Sequence, residues 1–207
     1  MKNLLKTAVV GLALLSSGAV FASNMGFKLV KPVSAAAVGK TGSNWVSIPY
    51  FNNFTIASTV FADIPSCLQV SHYRTATDTY EDFTNSFGDP DFTVAKGEAL
   101  LVKVSATGNW TIVGSHDNSF GVPLAVAPVG KTGSNWISLP YHTNKATVST
   151  LFAEIPSALQ VSHYLTASDT YEDFTNSFGD PAFAITIGEG LLVKVSATSS
   201  SWVPAHY

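Results

Sequence analysis

Apolar and polar positions alternate along most of the chain with the period of strands rather than helices. In NWVSIPY, Trp45, Ser47 and Pro49 alternate with Val46, Ile48 and Tyr50; in LQVSHY, Leu68, Val70 and His72 alternate with Gln69, Ser71 and Tyr73. Each reads as a half-buried strand. ALLVKVSA, after Gly97-Glu98, is a stronger one, with Leu101 and Lys103 opposite Leu100, Val102 and Val104, and DFTVA and WTIVG add two more. Thr55–Ile64 instead has helical spacing, through Val60, Phe61 and Ile64. Thr55 or Ser58 is placed to cap it and Pro65 to end it.

The whole pattern occurs twice. Val38–Thr107 aligns with Val129–Thr198 at a constant offset of 91 without gaps, and 51 of the 70 positions are identical. The repeat divides the chain into residues 23–116 and 117–207, each long enough for an independent domain. Short strands separated by turns then predict a mainly β protein of two tandem β-sandwich-like or small-barrel domains, each carrying one short helix.

Before the first copy, Lys2 and Lys6 precede an apolar run that ends with Val20 and Ala22, the layout of a cleavable secretory signal over residues 1–22. The expectation is an exported chain, periplasmic, cell-surface or extracellular, with no transmembrane segment after cleavage. Removing that segment takes away two lysines and no acid, so the formal net charge goes from −3 to −5. A weakly acidic chain with few charges does not suit nucleic acid, whose phosphates need clustered Lys and Arg. Cys67 is the lone cysteine, which excludes an intrachain disulfide. Its counterpart is Ala158, so it reads as a small buried residue. Stability must come from the core, for which 46% hydrophobic residues suffice.

The repeated VGKTGSNW contains GKT and KTG, fragments of a phosphate loop and of a penicillin-binding site. A phosphate loop needs a glycine five residues before GK[ST] and a following helix. Ser34 and Ala125 occupy the positions of that glycine, and a strand pattern follows. KTG would need an S-x-x-K partner, which the chain lacks. The octapeptide therefore reads as a glycine turn feeding a strand. G-x-S-x-G, H-E-x-x-H, C-x-x-C-H and a calcium-loop signature are likewise missing from the sequence.

Three groups of residues could still carry chemistry. DTYEDFTNSFGDP places Asp78, Glu81, Asp82 and Asp89 close in sequence, and its copy supplies Asp169, Glu172, Asp173 and Asp180. Such oxygen donors suit Ca²⁺, against the alternative of a solvated hairpin; no other cofactor is expected. His72 with His116, and His163 with His206, could pair as metal or proton-transfer sites if the strands converge, though His72 shares a face with Val70 and reads more simply as a hydrogen-bonded structural residue. The third group is a loop that differs between copies on a constant scaffold: Phe51, Asn52, Asn53 and Phe54 against His142, Thr143, Asn144 and Lys145. Divergence there points to different contacts, with a ligand or between the units. The exchange of Lys96 for Ile187 suggests a face exposed in the first copy and buried in the second. The many aromatic side chains could fill the cores or stack on sugar rings.

SNMGFKL near the start, NW-[VI]-S-[IL]-PY, GE-[AG]-LLVKVSA and the closing WVPAHY together resemble uncharacterised exported tandem-repeat β-domain proteins of Gram-negative bacteria. More distantly the chain is similar to β-modules of cell-surface proteins that begin with an aromatic-x-Ser-x-Pro strand. The resemblance implies export and a duplicated scaffold, and it assigns no functional residue. The expected function is non-enzymatic binding or assembly at the cell envelope or outside the cell, by self-association or with a surface partner. The alternatives are a carbohydrate- or calcium-binding module, with a glycan as partner, and a hydrolase using His and Asp.

Overall fold

A computed structural model describes residues 26–115, 117, 119–131 and 133–205. The expected signal segment and both His116 and His206 lie outside the described residues. The first copy runs β1 (Phe27–Val33), β2 (Ser43–Ser47), α1 (Ala57–Asp63), β3 (Cys67–Arg74), β4 (Thr79–Phe83), β5 (Ala99–Val104) and β6 (Gly108–Gly114). The second runs β7 (Val122–Leu124), β8 (Asn135–Ser138), α2 (Val148–Phe152), β9 (Ala158–Leu165), β10 (Thr170–Phe174), β11 (Gly190–Val195) and β12 (Ser199–Trp202).

The chain is mainly β, built from antiparallel sheets with no closed barrel among the described residues. The strand order of the first copy, β2-β5-β3-β4, recurs in the second as β8-β11-β9-β10, and a two-stranded ribbon accompanies each sheet, β1 with β6 and β7 with β12. One face of the first sheet supplies Val46, Ile48, Val70, Leu100 and Val102 to a core closed by Val33, Trp110 and Ile112 of the ribbon and Val60 of α1. Ile137, Val161, Leu191 and Val193 do the same in the second copy, with Leu151 and Trp202. Alternation along each strand thus sends every second side chain into these clusters.

Local chemistry explains the ends of the elements. Gly39 and Gly42 adopt φ of 77° and 65° in the turn before β2, and a Cβ on Gly42 would stand 2.6 Å from Ala36. VGKTGSNW is therefore the turn expected of it, and its Asn44 ties the turn down. The buried Asn44 amide accepts from Ser34 N at 2.8 Å and donates to the carbonyls of Ser34, Gly42 and Val102. Asn135 repeats the arrangement with Ala125 and Val193. Helix α1 starts later than Thr55, at Ala57, and neither Thr55 nor Ser58 caps it. Asp91, distant in sequence, accepts from Ser58 N at 2.8 Å and Ser58 Oγ at 2.7 Å, which satisfies a free first-turn amide. DFTVA forms only an isolated bridge, Thr93 with Ile56, and not a strand.

One expectation changes more deeply. NWVSIPY is not half-buried: all five residues of β2 and all four of β8 are buried. The face that alternation assigned to solvent meets the other copy.

Candidate functional site

The two copies meet around an approximate two-fold axis. Ser47 Oγ donates to Glu189 O at 2.7 Å and accepts from Leu139 N at 3.3 Å; Ser138 Oγ donates to Glu98 O at 2.6 Å and accepts from Ile48 N at 3.1 Å. Tyr50 OH reaches Ser138 O at 3.2 Å and Tyr141 OH reaches Ser47 O at 3.0 Å. Backbone bonds join Ser47 to Gly188 and Ser138 to Gly97. Each contact is its partner shifted by 91 residues and reversed, the reciprocity of an isologous dimer, here within one chain. Trp45 and Trp136 face each other near the axis, ring centroids 4.0 Å apart. Among the described residues Trp45 Nε1 is buried without a hydrogen-bond partner.

This junction leaves a cleft of about 390 Å³ between the copies. One wall is Tyr73, Asp78 and Tyr80 of the β3–β4 hairpin; the other comes from the sheet of the second copy, including Trp136, Gln160, Tyr171, Asp173 and Lys194. Tyr73 stacks on Trp136 at 5.6 Å and 15°, and Tyr80 stands edge-on to both rings. Tyr171 lies edge-on to Trp45 at 6.2 Å. Tyr80 and Tyr171 remain 56% and 48% exposed, so ring surface is open to solvent. Burial first, then neighbouring Asp78 for Tyr80 and Tyr80 itself for Tyr171, raise both phenols, Tyr171 to about 12, and both stay neutral at physiological pH. Asp173 and Lys194 make no side-chain hydrogen bond or ion pair among the described residues. Gln160 donates its amide nitrogen to Ser162 Oγ at 2.8 Å and keeps its carbonyl oxygen available.

His72 and His163 lie elsewhere and are buried. His72 Nδ1 is 2.9 Å from Glu98 Oε1 and Nε2 is 2.8 Å from Glu81 Oε2, while the ring stacks on Phe92 at 3.9 Å. His163 repeats this with Glu189 at 2.7 Å, Glu172 at 2.9 Å and Phe183 at 3.9 Å. A carboxylate only accepts, so both nitrogens must donate, and each ring is an imidazolium. Burial opposes that charge, but hydrogen bonds and Coulomb attraction from the two carboxylates outweigh it and raise both histidine pKa values. Glu81 is held down to about 2, chiefly by the Arg74 guanidinium and then by His72. The partners of His72 and His163 are therefore glutamates. Glu98 and Glu189 were not singled out by sequence reasoning, although an acid at the head of the apolar strand GE-[AG]-LLVKV is the signal that could have found them.

The eight acidic residues do not pool their oxygens. Among the described residues no group of three or more His, Cys, Asp or Glu side chains is arranged to hold a metal ion. Strand alternation puts Glu81 and Asp82 on opposite faces: Glu81 turns to His72, and Asp82 sits opposite Ser71 in the register. Asp78, at φ 58°, accepts from Tyr73 OH. Asp89 accepts from Thr84 N and Oγ1 and from Ser86 N within its own turn. In the second copy Glu172 binds His163 and Asp173 lines the cleft, while Asp180 repeats the turn with Thr175 and Ser177. Asp169 accepts from Tyr164 OH and also from Thr41 N at 3.2 Å and Thr41 Oγ1 at 2.5 Å, tying the copies together.

The divergent loop makes different contacts in each copy. Phe51 pairs its backbone with Ser115, and Lys96 Nζ lies 4.0 Å over its ring. Asn52 braces the turn through Pro49 O and Phe54 N, Phe54 packs on Trp110, and Asn53 is exposed. His142 is buried and stacks on Phe27 of the first copy at 5.3 Å, Thr143 reaches Ala205 O at 3.5 Å, and Lys145 pairs with Glu154 at 2.6 Å, leaving Asn144 exposed. The Lys96 expectation reverses. Lys96 is half-buried between two phenylalanine rings and bonded to Asp117 at 2.7 Å, whereas Ile187 is 50% exposed. Burial pushes the Cys67 thiol up to about 11, which suits a structural residue rather than a nucleophile.

Among the described residues no helix is long and apolar enough to cross a membrane. No protein-family model matches the chain, and no curated protein or solved structure matches it.

Proposed function

We propose that this is an exported, non-catalytic binding protein of the cell envelope or extracellular space, whose two β-domains, 23–116 and 117–207, act as one preformed clamp with the ligand between them. The observation that carries the reading is the cleft at the junction, which combines open aromatic rings with unpaired polar groups, the composition of a small-molecule or chain-binding site. Its walls come from different copies joined by reciprocal hydrogen bonds, so the site needs no ordering on binding.

Two features favour binding over the other readings. Both nitrogens of His72 and of His163 are committed to carboxylates, so neither ring can act as a general base. The outer strands β4 and β10 carry Glu81-Asp82 and Glu172-Asp173, and edge-to-edge assembly would set like charges opposite one another.

The test is retention of the purified exported chain on washed bacterial cell envelopes, compared with Tyr80→Ala/Tyr171→Ala. Retention of the parent and release of the variant are expected. Equal behaviour of the two, or no retention of either, would count against a cleft-based binding function.

A further inference from the structure

We infer that the ligand of the cleft is a saccharide, a neutral or N-acetylated hexose chain that lies its ring faces on Tyr80 and Tyr171 and directs its hydroxyls to Asp173, Lys194 and Gln160. The inference rests on the cleft being the binding site. Its first support is the ring geometry. Tyr80 and Tyr171 are about half exposed, and each is held edge-on by one indole of the buried Trp45–Trp136 pair. An aromatic face carries partial negative charge. The C–H face of a pyranose presents partly positive hydrogens over a flat area and complements it.

The polar groups narrow the class. A hydroxyl both donates and accepts, and the cleft offers a carboxylate that only accepts, an ammonium that only donates, and a free amide carbonyl. Asp173 and Lys194 carry opposite charges, so this wall sets up no strong net field for a charged ligand. A phosphate-bearing ligand would also face Asp78. An apolar tail would cover Asp173 and Lys194 without pairing them, at the cost of desolvating two charges. The cleft volume of about 390 Å³ falls within the ordinary range for small-ligand sites.

The experiment titrates the exported chain with cellotriose, maltotriose and tri-N-acetylchitotriose, read by tryptophan fluorescence and saturation-transfer NMR. At least one trisaccharide is expected to bind. Tyr80→Ala and Tyr171→Ala should each weaken it by about tenfold, the scale of one lost aromatic contact. Asp173→Asn should weaken it several-fold, while Phe178→Ala, on an exposed loop outside the cleft, should leave it unchanged; thermal melting confirms that each variant is folded. Binding by none of the three sugars, or binding indifferent to both tyrosines, overturns the saccharide assignment. If envelopes retain the parent and release the double tyrosine variant while no trisaccharide binds, the cleft remains the binding site and only the ligand class falls. If envelopes also fail to retain the parent, both readings fall.

Discussion

The two copies are built to one plan, and the places where they differ are those where a two-fold arrangement cannot treat both alike. Ala99 and Gly190 occupy equivalent positions at the axis, facing each other. A Cβ on Gly190 would lie 2.8 Å from the Ala99 Cβ and 3.2 Å from Val46 N. There is room for one methyl and not two. The histidine clamps differ in charge. In the first copy Arg74 adds a second cation beside Glu81, at 2.7 Å, while Leu165 stands at that position in the second. There Lys31, arriving from β1 of the first copy, lies against Gly188 and Glu189: burial lowers its pKa and the carboxylate raises it. The helices differ because Asp91 caps α1 over seven residues, whereas Ala182 has no group to offer the five-residue α2. Duplicated sequence thus yields equal frameworks, and the contacts between frameworks select the exceptions.

The largest test of this comparison removes the clamps. His72→Leu or His163→Leu leaves two carboxylates facing an apolar side chain and should cost about 3–5 kcal/mol in urea unfolding, as when one partner of a buried ion pair is deleted. His163→Leu should be the worse, because Glu172 then has no cation while Glu81 keeps Arg74. Equal losses would show that Arg74 contributes nothing. The same groups set a pH profile. Histidines whose folded pKa is raised contribute stability that is full below about 6.5 and is lost as pH rises through the folded value. Glu81 works in the other direction, contributing above about 4.5 and losing that contribution as pH falls toward about 2. Melting temperature should therefore decline as pH rises above about 6.5, and His72→Leu/His163→Leu should flatten that decline.

Next in size is the axis. Gly190→Ala should destabilise by about 1–3 kcal/mol through overpacking. Ala99→Gly in the same chain should recover most of the loss, since the methyl has only changed sides. Additive losses in that double-mutant cycle would refute the close approach at the axis. Asp91→Ala should cost about 1 kcal/mol, as for other lost caps, and Ala182→Asp should gain part of that in the second copy. Hydrogen exchange at the Ser58 and Ser149 amides gives the local readout. Smallest is Arg74→Leu, at less than about 1 kcal/mol, because the guanidinium is half exposed and the pair is screened.

Much of the fold was legible in the chain because strands advertise themselves locally. The alternation in LQVSHY and ALLVKVSA, the glycine turn in VGKTGSNW and the helical spacing of Val60, Phe61 and Ile64 depend on neighbours in sequence, and β3, β5, β2 and α1 lie there. The errors arose where a remote group decided the outcome. Nothing near Ser58 announces that Asp91 caps the helix, and nothing near His72 announces Glu98. The acidic run brings carboxylates close in sequence, whereas the pleat turns Glu81 and Asp82 to opposite faces.

The sequence by itself determined a duplicated, mainly β scaffold, its turns and its inward-facing residues, since a periodicity of two residues and the torsional needs of glycine are written locally. The tertiary structure alone decided that the second face of β2 and of β8 is covered by the other copy. It also decided that His72 and His163 are held as imidazolium ions, and that Tyr80, Tyr171, Asp173 and Lys194 share one cleft. Those outcomes depend on which surfaces meet, and that is settled by complementarity across the axis between residues some ninety positions apart.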